Sequence, residues 1–167
     1  MKTRKLVLLA FLLGIGVVLH LIIPGFFFGM KPDMMLVMMF LGLLLYPDKK
    51  TAFLLGVGTG ILTALTTTFP AAQLPNFFEK VITAYFILAF LILFKKFSNT
   101  YFKALLITAI GTIISGSIFL TLVMIFATLP LSYLSLFIAV VLPAVLLNTL
   151  LMTIVHPIVK KTNKRLK

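Results

Sequence analysis

The chain has 167 residues, 62% of them hydrophobic and 11% charged, against about a quarter charged in an ordinary soluble domain. Fifteen Lys and Arg stand against three Asp and Glu, a formal net charge of +12, with a mean hydropathy of +1.23 and a pI near 10.3. This much apolar sequence excludes a water-soluble globule, and the lack of cysteine excludes disulfides and thiolate metal sites. The basic residues lie in short clusters at the ends of apolar runs, which is the pattern of membrane anchoring and not of a nucleic-acid surface.

Hydropathy and chain breakers predict six helical spans, at residues 6–23, 33–46, 50–69, 77–94, 102–129 and 132–157, within one transmembrane domain of residues 1–167. The first follows Lys2, Arg4 and Lys5 and resembles a secretory leader. It runs past Ala10 to Ile23 without an evident cleavage site and is read as a retained span. Its Ala10-x-x-x-Gly14 pattern is a small-residue face on which another helix can approach closely, inside this protein or in a partner. His20, at the outer end, is either a packing residue or a cavity residue.

Between the first two spans, residues 25–35 carry Phe26, Phe27, Phe28, Lys31 and Asp33 among glycines and a proline. One reading is a lid, with aromatic faces to stack on a planar ligand and Lys31 or Asp33 to meet an ionic group. The other is an interfacial belt, with Asp33 capping the second helix. The second span offers only 15 residues from Pro32 to Tyr46, against about 20 needed to cross a bilayer. It is therefore expected to begin inside the protein. Met34, Met35, Met38 and Met39 are deformable packing or the wall of an apolar pocket.

The third span has small residues at every fourth position, Gly56, Gly60, Ala64 and Thr68, which predicts close helix packing. The loop that follows ends at Asn76, read as the N-cap of the fourth span with Glu79 completing a capping box. The functional reading makes Glu79 the acceptor for a ligand ammonium, with Thr83 and Phe86 on the same helical face. The fifth span repeats the small-residue stripe as Thr108, Thr112 and Gly116. Pro143 is expected to kink the sixth, and both of these long spans to tilt or to extend beyond the bilayer. Asn148 is the one amide expected in mid-helix, bonding either a ligand or a neighbouring helix. His156, before Pro157, reads as a helix-terminal residue.

Thirteen basic residues and Asp48 fall on one side of this topology, placing both termini in the cytoplasm. The outer side keeps two opposite-sign pairs, Lys31 with Asp33 and Glu79 with Lys80, so the net charge is +12 inside and zero outside. Such sparing use of charge points to a small ligand carrying both signs. There is no phosphate-binding loop, no His/Asp/Glu metal constellation, no carboxylate pair for acid–base work and no serine with a recognisable base. The chain reads as a non-enzyme without a cofactor.

Two blocks carry a family resemblance: residues 28–42 (FGMKPDMMLVMMFLG) and 62–76 (LTALTTTFPAAQLPN). They resemble the hallmark segments of the TrpP-type tryptophan transport proteins, although Glu79-Lys80 stands where Asp-Lys is the expected pattern. The resemblance implies a substrate-binding S component of the energy-coupling-factor transporters, a six-helix bundle in the prokaryotic plasma membrane. Such a subunit works with a shared transmembrane subunit and two cytoplasmic ATPases. Ala10 and Gly14 match the motif that docks on the shared subunit, with Gly in place of the commoner second Ala. For a tryptophan-like substrate, Phe26, Phe27, Phe28, Phe77 and Phe78 would supply aromatic surface. Glu79 would meet the ammonium and Lys31 or Lys80 the carboxylate, with Asn76, Thr83 and Asn148 lining the same site. A solitary carrier for aromatic amino acids and a ligand-free structural subunit are the alternatives.

Overall fold

The twelve residues Met34–Leu45 form a helix, α2, that has no lipid-facing side: all ten from Met34 to Leu43 are buried. At 1.5 Å per residue it is about 18 Å long, too short to cross a hydrocarbon core of about 30 Å. Protein solvates it instead of lipid, as expected for a helix that is apolar all round. In this computed structural model, which describes residues 3–22, 33–67, 72–95, 100–126 and 132–165 (side chains to residue 161), α2 is the central post of the bundle.

Around it stand Thr3–Ile22 (α1), Lys49–Thr66 (α3), Gln73–Leu93 (α4) and Thr100–Phe126 (α5). A last continuous stretch is made of Tyr133–Leu136 (α6), a π-helical turn at Phe137–Val141, and Leu142–Arg165 (α7). Every described element is helical, and α2 touches α1, α3, α4, α5 and α7. Among the described residues four helices are long and apolar enough to cross a membrane: α1, α4, α5 and Tyr133–Lys161. The molecule is an all-α membrane protein.

Two expected boundaries move for a physical reason. α4 begins at Gln73, and the Asn76 N–H donates to the Ala72 carbonyl at 2.9 Å, so Asn76 lies inside the first turn and caps nothing. Pro75 would break a helix interior, but in a helix's first turn its missing N–H has no partner to lose, and proline starts the helix instead. Near Pro143 the helix continues: the chain widens into the π turn, where the Leu142 N–H donates to the Phe137 carbonyl. α7 then runs through Pro157, which makes His156 an interior residue, 5% exposed, with its ring 5.8 Å from that of Tyr101.

The small-residue stripes are packing surfaces. A Cβ on Gly56 would sit 3.1 Å from Val81 Cα, and one on Gly60 2.9 Å from the Phe77 carbonyl oxygen. A Cβ on Gly116 would meet the Val141 side chain at 2.8 Å. Gly14 differs, with nothing within 4 Å, and Ala10 beside it is exposed. Gly60→Ala is therefore expected to cost about 1–3 kcal/mol through backbone displacement at α4. Gly14→Ala should stabilise the isolated protein by about 0.5–1 kcal/mol through helix propensity. Unfolding of the two variants in detergent measures both.

At the end where α1 starts, Lys5 pairs with Asp48 and lies 5.1 Å above the Tyr46 ring. Asp48 caps α3 by accepting from the Thr51 N–H at 3.0 Å and the Thr51 hydroxyl at 2.9 Å. Burial pushes this carboxyl up, but the bonds from Lys5 and Thr51 outweigh it and hold the group below its usual range.

The apolar core is in two parts. The larger surrounds α2 and takes Ala104 and Ile107 from α5 and Met152 from α7. The smaller joins Leu120, Leu136 and Val141. Between them, along α5 and α7, lie the buried polar residues Thr108, Thr112, Ser115 and Asn148. This polar layer meets the N-terminus of α2 and the second turn of α4.

Candidate functional site

Asp33 caps α2: its Oδ1 accepts the Leu36 N–H at 2.9 Å. Its other oxygen, Oδ2, is 2.7 Å from Lys80 Nζ on α4. The same Nζ donates to Oε1 of Glu79, so one ammonium is shared by two carboxylates. Glu79 and Lys80 are each 1% exposed, whereas the Asp33 side chain keeps 25% of its surface open.

The neighbouring helices complete the coordination. Glu79 Oε2 accepts from the Ser115 hydroxyl of α5 at 2.8 Å and is 3.4 Å from the Thr83 hydroxyl. Asn148 of α7 accepts the Asp33 N–H at 2.9 Å and donates to Thr112 of α5 at 3.3 Å. Four elements, α2, α4, α5 and α7, thus meet through side-chain polar groups in an otherwise apolar bundle. Burying charges this far from water costs several kcal/mol per ion before pairing offsets it, so packing alone does not account for such a cluster.

The geometry revises several expectations. Glu79 and Lys80 are buried within the bundle, and Asp33 pairs with Lys80 of α4. Asp33 is a cap, one of its two readings, and also a member of the charge cluster. Thr83 and Asn148 lie within it, and Asn148 makes the interhelical bonds that were one of its two readings. Phe77 is half-buried with its backbone against Gly60; its ring meets Phe78 edge-on at 5.4 Å, and Phe78 is 44% exposed. Phe86 is 51% exposed and outside the cluster. The buried face of α4 runs through Lys80, Thr83, Ala84 and Ile87, so Glu79 lies at its edge and Phe86, about 20° further round, falls beyond it.

Phe26, Phe27, Phe28 and Lys31 lie outside the described residues. Asn76 is half-buried in the first turn of α4 and makes no bond to the cluster that the structure describes. Ser115 was not foreseen. Nothing in residue type separates it from Ser117 two positions on, which merely back-bonds to the Ile113 carbonyl at 2.8 Å. Among the described residues no group of three or more His, Cys, Asp or Glu is arranged to hold a metal ion. A shallow recess of about 370 Å³ lined by Lys49, Lys50, Phe53 and Leu54 lies at the far end of α3, away from the cluster.

Comparison with known proteins agrees with this architecture. The family model "Tryptophan transporter TrpP" matches residues 2–164. A probable tryptophan transport protein of Bacillus subtilis is 48% identical over 165 residues, 99% of this chain and 95% of the relative. Proteins of the same description from Clostridium acetobutylicum and Clostridium perfringens are 43% and 36% identical, over 97% and 98% of this chain and 95% of each relative. No solved structure matches. The chain is a transport protein and not an enzyme, and it belongs to the TrpP tryptophan transporter family.

Proposed function

We propose that this protein binds tryptophan at the polar layer and delivers it across the cell membrane, with Glu79 receiving the ammonium and Lys80 the carboxylate. The observation that carries this reading is the pair itself: adjacent acidic and basic side chains, both buried, at the boundary of two apolar clusters. A zwitterion with a large apolar ring needs that combination, because its charges must be paired once dehydrated while the ring gains from leaving water. Thr83 and Asn148 line the same layer. Phe77 and Phe78, with Phe26, Phe27, Phe28 and Lys31 from the segment before Asp33, are the groups assigned to the indole and to the entrance.

The proposal extends to topology and partners. Residues 1–167 form one domain of six membrane-embedded segments, with the short α2 enclosed by the others and both termini and the basic clusters in the cytoplasm. The chain acts as an S component with an energy-coupling-factor transmembrane subunit and two ATPases. The exposed Ala10/Gly14 face supports the docking part, since it is the small-residue pattern left open on α1. Tryptophan should raise the thermal midpoint of the purified protein, while leucine and lysine should not. Uptake in cells should depend on the ATPase module. Uptake by this chain alone in vesicles would instead identify a solitary carrier, and the absence of any response to aromatic amino acids would leave a ligand-free subunit.

A further inference from the structure

Among the described residues, the buried cluster carries one more negative than positive charge. Asp33 and Glu79 carry two formal negative charges and Lys80 one positive, all touching through a single Nζ. The foremost charged groups acting on these three are one another and, on Asp33, His20 of α1. The facing residues of α5 and α7 are the neutral Thr112, Ser115 and Asn148. A residual negative charge is tolerable while the Asp33 side chain keeps a quarter of its surface open. A ligand seated on the cluster covers that opening, and a zwitterion brings no net charge to replace the lost hydration. Two carboxylates sharing a dry site do not both stay ionised; one takes a proton.

We infer that the site has a second ligand, a single proton from the bathing solution, which enters the Asp33–Glu79 carboxylate pair when tryptophan binds. This rests on the cluster being the tryptophan site. The charges then balance in the complex: one proton, one ammonium from Lys80 and one from the substrate, against the two cluster carboxylates and the substrate carboxylate. The complex holds more protons than the free protein, so binding tightens as pH falls. The slope is up to about tenfold in affinity per pH unit where the pair is otherwise ionised.

Calorimetric titration of the purified full chain with tryptophan, in phosphate and in Tris from about pH 6 to about pH 8, counts the protons directly. About one proton should be taken up per tryptophan. Asp33→Asn keeps a cap acceptor for Leu36 and leaves a neutral Glu79–Lys80 pair, so it should bind tryptophan with no proton uptake and no pH slope. His20→Gln should keep the uptake. No uptake by the wild type, uptake that survives Asp33→Asn, uptake lost in His20→Gln, or affinity driven by Na+ in place of pH would each overturn the inference. If Glu79→Gln leaves tryptophan affinity unchanged, the site reading fails instead. Zero protons together with a Glu79-dependent affinity defeats the proton alone.

Discussion

Lys80→Ala is expected to destabilise the protein by about 3–5 kcal/mol. The substitution leaves two buried carboxylates, Asp33 and Glu79, without the ammonium they share, and an unpaired buried charge forfeits its pairing while still bearing its desolvation cost. The loss should shrink as pH falls, since protonating either carboxylate removes the repulsion. A control separates charge from packing. Combining Lys80→Met with Glu79→Gln and Asp33→Asn removes every formal charge at similar volume, and the triple variant should recover most of the stability. Unfolding in detergent at two pH values measures both. A Lys80→Ala protein as stable as wild type would mean that the pairs contribute nothing.

Glu79→Gln is expected to weaken tryptophan binding by about 2–5 kcal/mol, roughly 30-fold or more, with little change in thermal stability. An amide at this place keeps the volume and can still accept from Ser115, but it cannot compensate a dehydrated ammonium. It also removes the unbalanced negative charge, so the folded state loses little. Affinity and stability should therefore move independently. A variant that loses both in proportion would place Glu79 among the structural residues.

Much of this arrangement was legible from residue type and spacing, and the rest was not for identifiable reasons. Opposite charges at Glu79 and Lys80 within an apolar chain marked the buried charge cluster, because lipid makes each ionisable residue expensive. The small-residue stripes marked packing faces, and Gly56 and Gly60 lie against α4. Hydropathy overstated the loop before α4, because Pro75 breaks a helix interior yet starts a helix comfortably. The short second segment signalled something unusual, but its place at the centre of the bundle was missed. The cue was present in MMLVMMFLGLLL, which has no polar face to turn outward and too few residues to span. Asp33 was read as a cap, which it is. Its second bond, to Lys80 47 positions later in the chain, is a tertiary fact that no local pattern encodes. Ser115 was invisible for the same reason: a helical serine usually satisfies itself on its own backbone, as Ser117 does.

The ligand-side counterpart of Glu79→Gln tests the assignment of Glu79 to the ammonium most directly. Indole-3-propionate keeps the ring and carboxylate of tryptophan and lacks the ammonium. Binding of both compounds to wild type and to Glu79→Gln forms a closed cycle whose coupling isolates the single contact. Tryptophan should lose about 30-fold or more on the substitution and indole-3-propionate almost nothing. Equal losses for the two compounds, or none for either, would contradict an ammonium seated on Glu79.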